Sequence, residues 1–329
     1  MISVREVARS IAGIAFAGLI GAGSLLVTGA TGSAGAEIAA TASSDVVRAQ
    51  AAKERRKRRS APPTLGMYDP ELSFRNEGGV GLEHFFIFWQ AFDRDHLRDK
   101  VQYAEIRRRR VMITVEPYTK AANWVDGANV LLPQVAKGQY NAQIESVCTE
   151  IASISGTPLV RWGHEMDDAK DGYPWSGREP SDYVAAYRHF VKKCRDLAPR
   201  AEFVWSPIGH PGLQRYYPGD DVVDHVGLPL WGYQKADRRW FGRERSFDEA
   251  LEEKYALVER FEKPVVIAEF GVSGNGRYRR SWLGSYREKL RAFPLVTAVA
   301  YFNVRNPHKW PDGLGQPDWR VRPAVIGLH

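Results

Sequence analysis

From Leu65 onward the chain alternates between two kinds of pattern. Short runs that are almost wholly apolar or β-branched stand at LGMY (65–68), FFIFW (85–89), VMITVE (111–116) and PLVRWG (158–163). They recur at EFVWS (202–206), VVDHVGL (222–228), PVVIAE (264–269) and TAVAYFN (297–303). Between them lie longer stretches with apolar residues at helical spacing: QIESVCTEIASI (143–154), YVAAYRHFVKKCRDL (183–197), SFDEALEEKYALVERF (246–261) and SWLGSYREKLRAF (281–293). Strands that lack polar alternation are buried on both faces, and intervening helices supply the outer cover, so the strands should be parallel. Eight such units predict an α/β fold, a single-domain (β/α)8 TIM barrel over residues 64–329. An open doubly wound sheet is the main rival, but no Gly-rich phosphate loop follows the first strand. The barrel places chemistry where strands end and their following loops begin.

Ahead of Leu65 the pattern changes. Arg5 and Arg9 precede an apolar stretch from Ile11 to about Thr28, and Ala34 and Ala36 then follow at small-x-small cleavage spacing. Residues 1–36 are expected to be a signal peptide or an N-terminal membrane anchor, so the protein is expected to be exported, periplasmic or secreted, with this segment as its means of membrane association. Residues 37–63, through KERRKRRSAPP, read as a flexible basic linker.

Charge follows this division. The 329 residues carry a formal charge of +7, but residues 1–60 hold nine Lys/Arg against four Asp/Glu, and the remainder holds 37 against 35. The basicity belongs mainly to the tail, and no nucleic-acid partner is expected for the folded part. The run RRRR (107–110) lies just before the third strand, at the bottom of the barrel, and reads as a solvated helix end. The two cysteines, Cys148 and Cys194, exclude a zinc cluster or a disulfide scaffold. Whether they pair or remain two buried thiols stays open at this level.

Candidate chemistry collects at strand ends. In RWGHEMDD (161–168) a histidine and a glutamate are adjacent, but the second histidine of HExxH is missing, so no metal is expected. Glu165 lies just past the fourth strand, and Glu269 closes the otherwise apolar seventh. A carboxylate at the end of such a run is costly unless paired or functional. Two facing carboxylates are what retaining glycoside hydrolysis requires, one as nucleophile and one as acid then base. Sugar rings present apolar C–H faces to flat aromatics. Trp89, Trp175, Trp205, Trp231 and Tyr233 at or after strand ends, and Trp310 in the loop after the eighth, are therefore candidate substrate contacts, as is Glu116 at the end of the third strand. Arg161 is a candidate to support a carboxylate or to complete a core ion pair.

In order and spacing, LGMYDP, ITVEPY, KGQYNAQI, PLVRWGHEMD, FVWSP, YYPGDDVVDHVGL, KPVVIAEFG, YFN and DWR resemble glycoside hydrolase family 26 across nearly all of residues 65–325. The resemblance implies a retaining (β/α)8 endo-β-glycanase without cofactor, with Glu165 as acid/base, Glu269 as nucleophile and His164 beside the sugar. It implies a β-linked polysaccharide as substrate, β-mannan most commonly, with β-1,3/1,4-glucan and β-xylan as known options. A monomer is expected. Asp167 stands where the family usually has Asn, and Trp231 where it commonly presents a tyrosine. The competing reading is a barrel that binds polysaccharide, or assists its synthesis, without cleaving it.

Overall fold

The computed structural model describes residues 62–118, 128–168 and 172–327. The signal or anchor segment and nearly all of the linker lie outside the described residues. Eight strands close into a barrel in sequence order, every pair parallel, with β1 returning to β8. They are β1 (Thr64–Tyr68), β2 (Leu82–Phe88), β3 (Arg110–Glu116), β4 (Leu159–Trp162), β5 (Glu202–Trp205), β6 (His225–Tyr233), β7 (Val265–Ser273) and β8 (Val296–Phe302). The expected (β/α)8 barrel is the observed fold. The sixth strand differs in placement: Val222 and Val223 precede it, and it runs on through LPLWGY.

Helices named here are α1 (Arg94–Ile106), α2 (Ala128–Ala136), α3 (Asn141–Ala152), α4 (Pro180–Leu197), α5 (Phe247–Val258) and α6 (Gly276–Leu283). The α1 sequence is too polar to announce itself, since it buries only Leu97, Val101 and Ala104. Its start is set by the Asp93 side chain, which accepts from the Asp95 and His96 amides. The expected helix over 281–293 is broken after Leu283. Gly284 still donates to the Arg280 carbonyl at 2.9 Å, but Ser285 turns to φ −136°, and two short turns follow instead of a continuous helix. Cys148 on α3 and Cys194 on α4 form a disulfide with their Cα atoms 5.3 Å apart.

The barrel interior is layered by the two-residue period of its strands. Leu82, Met112, Leu159, Val204, Val266, Ala268, Ala298 and Ala300 form the apolar lower layer. Two residues further along β2, β3, β4 and β5 come His84, Thr114, Arg161 and Ser206, all buried and joined by hydrogen bonds. One more step brings Phe86 and Glu116 to the mouth.

The RRRR run is only partly solvated. Arg108 is exposed, but Arg109 is buried against Glu83 and donates to the Phe74 and Glu77 carbonyls. Arg110 pairs with Glu202 at 2.6 Å. Both side chains tie the bottom of the barrel together, so the expectation of a free basic helix end is corrected for these two residues. Among the described residues no helix is long and apolar enough to cross a membrane.

Candidate active site

A bulge in β7 aims Glu269. Against β6, Leu228 pairs with Ile267 but Pro229 pairs with Glu269, so one residue of β7 is extra. The same shift appears against β8 between Ile267 and Phe270. A bulge breaks the in–out alternation. Ala268 can therefore join the inner apolar layer while Glu269, its neighbour, also reaches the interior and accepts from Arg161 Nη1 at 2.7 Å. Without the extra residue, a side chain adjacent to an inward one would point to the helices.

Glu165 is aimed by a different device. Gly163 and Glu165 both have φ +55°, and for a glutamate this left-handed conformation is uncommon and strained. The turn is held from both sides. The Glu165 amide donates to the Ser206 carbonyl at 2.7 Å, and Ser176 Oγ donates to the Glu165 carbonyl at 2.7 Å. Trp175 Nε1 donates to the His164 carbonyl at 2.6 Å.

Arg161 is the buried cation of the site. It is fully enclosed, with Nε donating to Ser206 Oγ and Nη1 shared between Glu269 and Thr114 Oγ1. The two alternatives for Arg161, carboxylate support and core ion pair, are here one arrangement. Three carboxyl groups surround this one cation. Burial first, and then the Glu269 charge, push Glu165 up to about 8, and the same two causes push Glu116 up to about 8. Near neutral pH the site therefore holds two neutral carboxyls beside the Arg161–Glu269 pair. Among the described residues no cluster of His, Cys, Asp and Glu is arranged to hold a metal ion.

The aromatic candidates divide by strand parity. Val204 points inward, so Trp205 points outward, where it is buried against Tyr217 and Phe261. Trp89 likewise lies outside the barrel, stacked on Tyr140 with Nε1 donating to the Tyr118 carbonyl. These two expected substrate contacts are corrected to packing residues. Trp175 is fully buried behind Tyr173, to which it stacks at 4.8 Å, so it supports the cleft wall without forming its surface. His164 is also fully enclosed. Its ring packs edge-on to Tyr173, neither ring nitrogen finds a hydrogen-bond partner among the described residues, and burial keeps it neutral. The expected sugar contact of His164 is not available while Tyr173 covers it.

Trp231 and Trp310 are half-buried at the mouth, and Tyr233 is buried with its hydroxyl donating to the Leu314 carbonyl. Sequence reasoning missed the half-buried Tyr68, Phe86, Tyr173 and Trp240. Inward parity could have found Phe86, two residues beyond His84. Nothing in the sequence marks Trp240.

Asp167 lies beside the site and has a structural task. Its carboxylate accepts from the amides of Ile208, Gly209 and His210 at 2.6, 3.1 and 2.9 Å, and the Ile208 carbonyl accepts from Lys254 Nζ at 2.5 Å. Three donors on two oxygens suit a carboxylate, whereas an asparagine offers one acceptor oxygen. The aspartate fixes the loop after β5.

No family model matches this chain. A β-1,3-xylanase from a Vibrio species is 34% identical over 113 residues, covering 32% of this chain and 23% of that protein. Endoglucanase H from Acetivibrio thermocellus is 26% identical over 273 residues, covering 78% of this chain and 28% of that protein. The chain thus spans about a quarter of the length of the curated relatives it matches. Among solved structures, a modular endo-β-1,4-mannanase of glycoside hydrolase family 26 from Cellulomonas fimi superposes with a TM-score of 0.58 at 16% identity. That match covers 74% of this chain and 65% of the mannanase. At such identity the likeness establishes the fold that the family resemblance implied.

Proposed function

We propose that the chain is a retaining endo-β-glycanase that cleaves a β-linked polysaccharide by double displacement. Glu269 attacks the anomeric carbon while Glu165 gives its proton to the departing oxygen, leaving a glycosyl ester on Glu269. Water then loses a proton to Glu165, attacks the same carbon and releases the Glu269 carboxylate. The observation that carries this reading is the unequal treatment of two mouth carboxyls. Glu269 is paired with Arg161, as a nucleophile must be ionised, and burial beside that charge keeps Glu165 protonated, as an acid must be. The named activities of the xylanase, endoglucanase and mannanase relatives support the same class. Trp231 and Trp310 remain substrate contacts, and Glu116 is a neutral hydrogen-bonding group for sugar hydroxyls.

Export is part of the reading. The Cys148–Cys194 disulfide fits an oxidising compartment and supports residues 1–36 as signal or anchor. The test is release of reducing ends from β-mannan, mixed-linkage β-glucan and β-1,3- and β-1,4-xylan, comparing wild type with Glu165→Gln and Glu269→Gln. Loss in both variants, and retained anomeric configuration in the first product by proton NMR, are expected. Inversion, or full activity in Glu269→Gln, sinks the mechanism.

A further inference from the structure

Three loops at the mouth, after β6, β7 and β8, hold the folded part's excess of positive charge. Residues 234–245, 274–281 and 303–322 contain twelve Lys/Arg against four Asp/Glu, a net +8. Since residues 61–329 total only +2, everything else in the folded part sums to −6. Arg243, Arg245 and Arg320 are paired with Glu249, Glu253 and Glu71 outside these loops, so the wall keeps a net of +5, and the near-neutral sequence charge still conceals a divided surface. Within the positive half Lys235, Arg239, Arg280 and Lys309 are exposed and form no ion pair with a described acidic residue, and exposed Arg305 makes no salt bridge with one, though its charge acts on the neighbouring Asp318.

The three loops form one continuous wall. β6 and β7 remain paired through Tyr233 and Ser273. Tyr278 donates to Asp237, Trp282 donates to the Arg245 carbonyl, and Trp240 donates to Asp312. An aromatic track runs through this wall. Trp231 packs on Trp319 at 4.7 Å, Trp319 on Trp310 at 5.7 Å, and Trp310 stacks on Trp240 at 5.8 Å. Trp319 is the buried keystone, and the other three keep exposed surface. The track begins over Gly271, two residues past Glu269, where a Cβ would stand 2.7 Å from the Trp231 ring.

The opposite side of the mouth has the other sign. Apart from the neutral Glu165, the loop after β4, residues 163–179, holds four acidic against two basic residues. A neutral glycan needs the indoles but gains nothing from a field of this size. A nucleic acid, charged at every phosphate, would be repelled where it crosses the acidic loop. A glycan with anionic groups on some of its sugars satisfies both halves, with charged units on the β6–β8 wall and an uncharged unit between Glu165 and Glu269.

We infer that the wall formed by the loops after β6, β7 and β8 is a binding track for an anionic polysaccharide, one bearing carboxylate or sulfate groups. This deepens the glycanase reading and rests on it for the position of the cleaved bond. Its test reads binding, so the two fail separately. Affinity electrophoresis of the full-length Glu269→Gln chain would compare neutral β-mannan and β-glucan with a polyuronate and a sulfated glycan, at low and high salt. The triple variant Lys235→Gln/Arg239→Gln/Arg305→Gln in the same background keeps the basic tail, so any difference belongs to the wall.

The acidic polymers should bind about tenfold or more tightly than the neutral ones, and lose about tenfold at high salt, where the Debye length shrinks. The triple variant should lose about tenfold on the acidic polymer and nothing on the neutral ones. Binding by the polyuronate alone assigns carboxylate, and by the sulfated glycan alone assigns sulfate. Equal binding to neutral glycans, an unaffected triple variant, or equally effective competition by duplex DNA overturns the inference. Absence of reducing-end release from every polymer sinks the glycanase reading and leaves the binding result standing.

Discussion

Replacing Glu116 by Gln should make the protein less sensitive to alkaline pH, and the size follows from where Glu116 sits. The side chain ends β3, is 7% exposed, and is pushed up to about 8 by burial and then by the Glu269 charge. An unfolded glutamate ionises near 4.3. Between these values the folded chain holds a proton that the unfolded chain has lost, so stability falls as pH rises. The contribution is fully present below about pH 4.3 and is lost as pH climbs through about 8. Each pH unit in the window is worth at most about 1.4 kcal/mol for one group. From pH 5 to pH 8 the ceiling is therefore about 4 kcal/mol, and relaxation and water penetration bring the expectation to about 2–3 kcal/mol. Glutamine keeps the shape and the neutral hydrogen-bonding character and removes the proton. Urea unfolding of wild type and Glu116→Gln at four pH values from 5 to 8 measures the difference directly. The two stability curves should diverge by about 2–3 kcal/mol toward pH 8, with the variant the more stable there. Parallel curves would refute the buried neutral carboxyl and with it the charge balance assigned to the site.

Other outcomes follow from the same contacts. Arg161→Met leaves Glu269 buried without its cation and should cost about 3–5 kcal/mol by urea unfolding, with most of that recovered in Arg161→Met/Glu269→Gln. Hydrolysis should fall as pH rises through about 8, where Glu165 loses its proton, and kcat/KM against pH in wild type checks this limb. Cys148→Ser opens a cross-link between residues 46 apart and should lower stability by about 4 kcal/mol, read as a shift in urea midpoint under non-reducing conditions. Asp167→Asn should cost about 1–3 kcal/mol of stability, because three amides then share one acceptor oxygen, and should leave the order of preferred substrates unchanged.

The barrel was legible because its strands are buried on both faces and so write continuous apolar runs, a signal independent of any partner. What escaped was set by contacts between segments distant in sequence. The helix over 281–293 breaks where Ser285 leaves the helical region at φ −136°, and α1 depends on a side-chain cap more than on its weak apolar face. The same distinction runs through the aromatics. Trp89 and Trp205 end strands and so look like cleft residues, but each directly follows an inward position, which turns it to the helices. Counting parity from Val204 would have excluded Trp205; counting alone would also have failed at Glu269, where the bulge reverses the rule.

That failure shows how the barrel builds its chemistry. A regular barrel offers inward positions only at every second residue of each strand, and a carboxylate placed at such a position deep inside would be stranded. Here the regular positions carry the support: His84, Thr114, Arg161 and Ser206 form the hydrogen-bonded layer under the mouth. The two carboxyls proposed to react sit at irregular positions, Glu269 on a bulge and Glu165 on a left-handed turn. Each irregularity is stabilised by contacts outside itself, Glu269 by Arg161 from β4 and Glu165 by the Ser206 carbonyl and Ser176 hydroxyl. Ser206 touches both halves, since its Oγ accepts from Arg161 and its carbonyl accepts from Glu165, so the short stretch after β5 couples the two carboxyls. The Asp167 carboxylate and Lys254 in turn hold the residues that follow Ser206. The aspartate that departs from the family pattern therefore acts on the reacting pair through the backbone, and loosening it should disturb the alignment of Glu165 before it disturbs any contact with sugar.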